Sequence, residues 1–267
     1  MKFSVVTISY NQAQFLERTI QSVLTQKDVG VEYIIVDPGS KDGSREIIER
    51  YRNSLAHIIF EKDNGPADGL NKGFAKATGD IYCYVNSDDV FEPDAFRRVA
   101  TAFDQRPHVD VFCGHAWVTD PNDRRLRRVW SDPFDAISIA YGASIFIQPS
   151  TFIKAKAFRN TNGFNTQNRS NWDGELLVAL GQNGAHIEVI NEVLSNYRLH
   201  HLSITNSGVL DGRIKEWRLR CFKLIMGREW SRLDNCFQVY WRLRRQVRNP
   251  QAMFERLFCG PVYKRNI

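Results

Sequence analysis

Gly65-Pro66-Ala67-Asp68-Gly69-Leu70-Asn71-Lys72-Gly73-Phe74 leads through Ala77-Thr78-Gly79-Asp80 into Ile81-Tyr82-Cys83-Tyr84-Val85, which ends in Asn86-Ser87-Asp88-Asp89. Proline suits the first turn of a helix, Leu70, Phe74 and Ala77 share its apolar face, and Gly79 is placed to end it. A buried strand follows directly, and two carboxylates stand at its end. The same alternation runs upstream. Val5 to Ile8 is a β-branched run emptying into Ser9-Tyr10-Asn11, and Phe15, Ile20, Val23 and Leu24 then form a helical stripe. Val31 to Val36 is a second strand, closed by the turn-rich Asp37-Pro38-Gly39-Ser40-Lys41-Asp42-Gly43-Ser44. A helix over about Arg45 to Arg52 and a third strand over Ala56 to Phe60 complete the pattern. Strands alternating with helices predict an α/β fold with a doubly wound, mainly parallel sheet. Ligands bind such sheets at the carboxyl ends of the strands, where Thr7 to Asn11, Asp37 and Asp88-Asp89 all fall.

Beyond Pro93 the alternation lapses. Val109 to Thr119 and Arg125 to Trp130 read as two strands around a Pro121-Asn122-Asp123 turn. Ile145 to Ile153 reads as a further sheet element, Trp172 to Gly181 as a short helix, and Val193 to Leu199 as a strand. The net charge of +6 is unevenly spread. Residues 206–267 hold 14 Lys and Arg against 5 Asp and Glu, whereas residues 1–205 hold 22 against 25. The boundary is therefore placed near 205, with an α/β region over 1–205 (halves of about 1–103 and 104–205) and a basic, aromatic helical region over 206–267. The acidic balance of the larger region argues against a nucleic-acid partner, despite a pI of about 9.1. Five scattered cysteines without a Cys-x-x-Cys pair read as reduced packing residues. No apolar run approaches the roughly 18 residues that a membrane span needs. The strand-like start at Met1 lacks a signal-peptide pattern, so the expected location is cytoplasmic.

Three groups of residues carry chemistry. Adjacent Asp88 and Asp89 suit a hard divalent cation that also holds phosphate oxygens, or else are solvated acids before the helix that follows Pro93. Asp68, Asn71 and Lys72 share one helical face opposite Leu70 and Phe74, and Lys72 can offset phosphate charge. Asp173, in Trp172-Asp173-Gly174-Glu175-Leu176, reads on its own as an acid in the first turn of a helix.

Taken together, Val5 to Asn11, Ile35 to Ser44, Asn71-Lys72-Gly73, Ala77 to Asp80 and Asn86 to Asp89 resemble, in order and spacing, the family-2 glycosyltransferases. The resemblance covers roughly residues 1–205. It implies the GT-A fold, a Rossmann-like nucleotide-binding architecture, and inverting transfer from a nucleotide-sugar donor. It places the nucleotide base and ribose on Thr7, Ser9, Asn11 and Asp37, with Asp63 and Asn64 completing the pocket. Asp88 and Asp89 become the metal motif, for Mn²⁺ or Mg²⁺, with Asp89 the preferred ligand. Asn86 stands where many relatives carry a third acid, and an amide there can still contact ribose. Asp173 becomes the base, with Glu175 as alternative or orienting partner. Tyr197-Arg198-Leu199-His200-His201 resembles a closing loop near the diphosphate, which makes His200 or His201 a metal or phosphate ligand. Gln148 lies in an element beside the acceptor cleft, and Trp172 either stacks on a sugar or packs in the core.

The expected reaction is transfer from a UDP- or dTDP-sugar to a polysaccharide or lipid-linked glycan. The alternatives are a protein that binds a nucleotide sugar without transfer, and a sugar nucleotidyltransferase. The latter normally has a glycine-rich loop after the first strand, and Ser9-Tyr10-Asn11-Gln12-Ala13 contains no glycine. In the tail, Ile214, Trp217, Cys221, Leu224 and Ile225, then Leu233, Phe237, Tyr240 and Trp241, form two helical stripes amid basic residues. Such helices either pack on the catalytic region or dock peripherally at an anionic membrane surface.

Overall fold

The computed structural model describes residues 1–200 and 211–260. The first half runs β1 (Lys2–Ile8), α1 (Ala13–Leu24), β2 (Gly30–Val36), α2 (Ser44–Arg50), β3 (His57–Ile59), α3 (Pro66–Phe74) and β4 (Ile81–Asn86). The second half runs β5 (Val90–Phe91), α4 (Ala95–Gln105), β6 (Val111–Thr119), β7 (Arg125–Val129), α5 (Ala136–Ala140), β8 (Thr151–Lys154), α6 (Ala155–Arg159), α7 (Trp172–Gln182) and β9 (Ile187–Arg198). Three helices follow: α8 (Asp211–Met226), α9 (Asp234–Arg248) and α10 (Pro250–Cys259).

Among the described residues the strands form one sheet in the order β3-β2-β1-β4-β8-β6-β9-β5, with β7 beside β6. β3, β2, β1 and β4 are mutually parallel, as the alternation of strand and helix requires. β8 lies antiparallel between β4 and β6, and β9 runs parallel to β6. β9 therefore points the same way as β4, so its end arrives at the edge where Asp88 and Asp89 stand.

Period-two alternation divides the core between the two faces of the sheet. Val5, Tyr33, Ile35, Ile81, Cys83 and Val85 pack under Leu16, Ile20 and Val23 of α1, with Ile47 and Ile48 of α2 and Phe96, Val99 and Phe103 of α4. Their neighbours Val6, Ile34, Val36, Tyr82 and Tyr84 face Leu70 and Phe74 of α3 and Leu176, Leu177 and Leu180 of α7. Both faces are covered, which is why these strands are apolar almost throughout.

Several boundaries differ from the sequence reading. α3 ends at Phe74 and not at Gly79. The reason is local competition: Thr78 N–H donates to Glu32 Oε2 at 2.7 Å and Gly79 N–H to Ser4 Oγ at 2.8 Å, leaving neither for a helix. Of the element read over Ile145–Ile153, only Thr151–Lys154 is strand. Gln148–Ser150 forms a 3₁₀ turn, where Pro149 brings no N–H to a ladder. β9 begins six residues before Val193, at Ile187. The tail holds a third helix, α10, because Pro250 at a helix start follows Asn249, whose side chain caps Ala252 N.

α8 packs on the α/β region that precedes it, with Cys221 and Phe222 buried against Ile139, Ala140, Tyr141 and Val178. α3 is held close to the sheet by its glycines. A Cβ on Gly73 would meet Val6 Cγ1 at 2.5 Å and Val36 Cγ2 at 3.3 Å. Gly73→Ala is therefore expected to destabilise the fold by about 1–3 kcal/mol through overpacking, despite the better helix propensity of alanine. The readout is a lower urea midpoint at unchanged m-value; a midpoint equal to or above wild type would refute this close-packing account.

Candidate active site

The site forms where β1, β2, β4 and β9 end. Asp88 and Asp89 leave β4 side by side but in different surroundings. Asp89 is 1% exposed. Its Oδ1 accepts the Arg198 backbone N–H at 2.9 Å, while its buried Oδ2 has no hydrogen-bond partner. Burial, followed by the charge of Asp88, pushes its carboxyl well above the ordinary aspartate range, against the pull of Arg198 and the Asn86 side chain. Asp88 is less enclosed, and its Oδ2 lies 3.0 Å from Nε2 of the buried His200. The structure thus brings His200 onto Asp88, the more accessible of the two adjacent acids; His201 lies outside the described residues.

Arg198 fixes this corner. Its Nε donates to the Asp88 carbonyl at 2.7 Å, its guanidinium pairs with Asp123 of the β6–β7 turn, and it lies 4.9 Å from the centre of the Phe15 ring. The side chain is 1% exposed.

The residues assigned to the nucleotide divide into linings and supports. Ser9 is buried, and its Oγ has no hydrogen-bond partner. Thr7 is turned into the core, with Oγ1 2.9 Å from the Tyr33 hydroxyl. Asp37 is fully buried and accepts from Gly39 N, Ser40 N, Ser40 Oγ and Arg45 Nε, so it organises the loop after β2. Asn11 has φ 52° and takes Lys41 N–H on its Oδ1 at 2.9 Å, joining the loops after β1 and β2.

Asp63 accepts Gly65 N–H at 2.9 Å, and burial raises its carboxyl. Asp68 takes Asn64 N–H at 2.9 Å and pairs with Lys72 at 3.7 Å, while Lys72 Nζ also donates to the Lys62 carbonyl. Asn71 is fully engaged with Phe164, donating to its carbonyl at 2.8 Å and accepting its N–H at 2.9 Å. It is a clamp between α3 and the loop before α7.

The second half closes on the same point through Tyr84. The Tyr84 hydroxyl is buried without a hydrogen-bond partner and is raised by burial, then by the charges of Asp173 and Asp89. Asp173, in the first turn of α7, is itself raised by burial, although its own N–H and that of Gly174 oppose the shift. Glu175 is engaged elsewhere: Asn165 and Asn168 donate to it at 2.8 and 2.6 Å, and Arg220 of α8 pairs with it. The geometry therefore favours Asp173 over Glu175 as a proton acceptor. Trp172 packs on Tyr84 and Phe164, each with ring centroids 5.6 Å apart, which is a core contact. Gln148 receives Asn86 Nδ2 at 3.1 Å and donates to the Tyr84 carbonyl at 2.8 Å, joining the two halves at the end of β4.

Two further residues were not singled out from sequence. Tyr10 follows β1 and is 62% exposed, an aromatic face beside Ser9 and Asn11. An aromatic placed immediately after a ligand-side strand was the available signal. Tyr84 carried no such signal, because its position reads as core.

The chemistry of the donor set, though not a preformed three-ligand cluster, is that of a divalent-cation site. Asp88 and Asp89 offer hard oxygens, His200 a nitrogen, and a buried carboxylate oxygen lacks a donor. A separate His108, His186 and Glu188 cluster, with ligand atoms within 4.8 Å of one another, lies at the opposite edge, where β6 and β9 begin.

The sequence profile of glycosyl transferase family 2 matches residues 4–183. An uncharacterised glycosyltransferase of Nostoc sp. is 36% identical over 129 residues, covering 47% of this chain and 40% of the relative. The Bacillus subtilis teichuronic acid biosynthesis glycosyltransferase TuaG is 33% identical over 116 residues, covering 42% and 46% respectively. The matched stretches thus span under half of these relatives. Among solved structures, S. aureus TarS in complex with UDP-GlcNAc superposes with TM-score 0.68 at 20% identity, covering 96% of this chain and 74% of that one. The mannosyltransferase PcManGT from Pyrobaculum calidifontis, in complex with GDP-Man and Mn²⁺, gives 0.63 at 16% identity, covering 96% and 73%. The structural likenesses establish the GT-A fold, and the profile, spanning most of the chain and including every strand end that builds the site except that of β9, makes this protein a member of glycosyl transferase family 2.

Proposed function

We propose that this chain is an inverting glycosyltransferase that moves a sugar from a UDP- or dTDP-sugar to a glycan acceptor, either a polysaccharide or a lipid-linked chain. The observation that carries the proposal is that Tyr84, in the strand that ends at Asp88 and Asp89, packs on Trp172 beside Asp173, and that its buried hydroxyl is raised by the charges of both Asp173 and Asp89. One belongs on the donor side and the other on the acceptor side of a single displacement. The S. aureus TarS complexes with UDP and UDP-GlcNAc support a uridine donor, and the names of TarS and TuaG support a cell-envelope polysaccharide as acceptor.

In this reading Ser9, Asp63 and Tyr10 receive the nucleoside, with Asp37 and Asn11 holding the loops that shape the pocket. Lys72 turns from the Lys62 carbonyl towards phosphate. Asp88, Asp89 and His200 would hold Mn²⁺ or Mg²⁺, which when bound offsets the charge of the departing diphosphate. Asp173 takes the proton of the acceptor hydroxyl as that oxygen bonds to the anomeric carbon and the bond to the diphosphate breaks. Burial keeps Asp173 more basic than a solvated aspartate. An acceptor anchored in lipid would place the enzyme at a membrane surface.

Asp173→Asn is expected to lower kcat by about 10²- to 10⁴-fold, with donor KM changed by no more than about twofold. The base must be ionised to act, so wild-type kcat/KM should fall as pH drops through a value above the ordinary aspartate range. That acidic limb should be absent from the variant's residual rate. Transfer at near wild-type rate by Asp173→Asn would remove this residue from the mechanism.

The donor site has its own readout. UDP with Mn²⁺ at about 100 times its Kd should stabilise the wild type by about 2.7 kcal/mol in thermal unfolding. Asp88→Ala should lose most of the metal-dependent part of that shift, and His200→Ala a smaller part. A full shift in Asp88→Ala with loss only in Asp89→Ala would make Asp89 the principal ligand.

A further inference from the structure

Helix α9 carries its polarity inverted. Asp234, Gln238, Trp241, Arg245 and Asn249 recur at i, i+4, i+7, i+11 and i+15, and this face meets the catalytic region. Asp234 Oδ1 accepts the Tyr141 hydroxyl at 2.8 Å, and Gln238 Nε2 donates to the Tyr141 carbonyl at 3.2 Å. Trp241 lies nearly parallel to the Tyr141 ring, and Arg245 Nε and Asn249 Nδ2 reach the Asp132 carboxylate at 2.6 and 2.8 Å. The opposite face, Cys236, Tyr240, Leu243 and Val247 at i, i+4, i+7 and i+11, points outward. Tyr240 is 56%, Leu243 63% and Val247 81% exposed. A helix that merely covered the domain would show the reverse arrangement.

α10, which packs on α9 and β7, continues the pattern. Phe254, Leu257 and Phe258 share one helical face, and Phe258 is 85% exposed. Large apolar side chains gathered on one surface mark a docking site more often than chance exposure.

Charge decides what docks. Residues 211–260 carry 12 Lys and Arg against 5 Asp and Glu. Many of the arginines are neutralised within the fold, as in the Arg228–Asp234, Arg244–Asp135 and Arg245–Asp132 pairs. Arg232, Arg242 and Arg256 are exposed, form no ion pair among the described residues, and stand immediately beside Leu233, Leu243 and Leu257. A second copy seated on this face would bring like charges together, whereas an anionic lipid surface complements both the apolar stripe and its arginines. No helix among the described residues is long and apolar enough to cross a membrane.

We propose that the outward face of α9 and α10 docks the protein on an anionic lipid surface, with Tyr240, Leu243, Val247 and Phe258 entering the headgroup boundary. This holds whether or not the chain transfers sugar, and its test uses neither donor nor turnover.

The full chain is floated with vesicles of phosphatidylcholine alone and of phosphatidylcholine mixed with phosphatidylglycerol. Binding to the anionic vesicles should be at least about tenfold stronger and should weaken with salt. The double variant Leu243→Glu with Val247→Glu should lose about tenfold or more of that binding at unchanged melting temperature, because both side chains face solvent. Arg232→Glu with Arg242→Glu, a second route that spares the apolar stripe, should weaken only the anionic component. Equal binding to both vesicle types, or binding unaffected by the Leu243 and Val247 changes, overturns the proposal. So does a wild-type dimer that these changes convert to monomer in the absence of lipid binding, since the face would then be a self-interface.

Discussion

Two adjacent carboxylates at the end of β4, one of them buried, are the constraint around which this end of the molecule is built. Taking Asp89 out of water beside Asp88 costs several kcal/mol unless positive groups compensate, on the order of what buried ions generally require. Arg198 supplies part of that compensation from the far end of β9, by its backbone N–H and by the charge of its guanidinium. To reach there, β9 must run parallel to β6 and hence to β4, and the β6–β7 turn must present Pro121 and Asp123 to the guanidinium. Arg18 of α1 shares Asp123, and Phe15 of the same helix lies under both Arg198 and His200. One electrostatic demand thus recruits α1, β4, β7 and β9. The compensation stays incomplete, since Asp89 Oδ2 and one Arg198 nitrogen are buried without hydrogen-bond partners. Structures rarely leave such atoms bare except where a ligand completes the network.

The nucleotide half was legible in the sequence because its signals are local. Val31–Val36 alternates across the sheet, glycine and proline mark the loop after β2 and the entry to α3, and Ser9, Asn11, Asp37, Asp88 and Asp89 each follow a strand by one to three positions. The later half is governed by distant partners, and there the reading weakened. α3 looked as though it ran to Gly79 because Ala77 continues the apolar stripe. Glu32 and Ser4, more than forty residues upstream, claim the N–H groups that would extend it. Ile145–Ile153 is apolar enough for a strand, yet Pro149 and the Gln148 link to Asn86 turn half of it into a support for the site.

Side-chain roles were legible only in type. Asp37, Asn71 and Glu175 carry polar groups suited to ligands, and the fold uses them as clamps: on the loop after β2, on Phe164, and on Asn165, Asn168 and Arg220. The sequence resemblance prefers Asp89 as the metal ligand, and the arrival of β9 makes Asp89 the enclosed acid and leaves Asp88 the accessible one. Tyr84 is the converse case. Its residue type and its place in an apolar strand both read as core, and its buried hydroxyl is nevertheless without a hydrogen-bond partner and raised by burial, then by the charges of Asp173 and Asp89.

The tail answers a similar electrostatic demand. The catalytic region presents Asp132 and Asp135 around α5, and a conventional amphipathic helix would have laid leucines over these acids. α9 instead turns Arg244, Arg245, Arg248 and Asn249 inward to satisfy them. Each helix face has one side to give, so satisfying buried carboxylates inside obliges the apolar residues of α9 to face outward. The inversion is stable only if the outer face has somewhere less aqueous to go, or if the inner ion pairs outweigh the exposure of Leu243 and Val247. Arg220 on Glu175 ties α8 to the first turn of α7, which also carries Asp173.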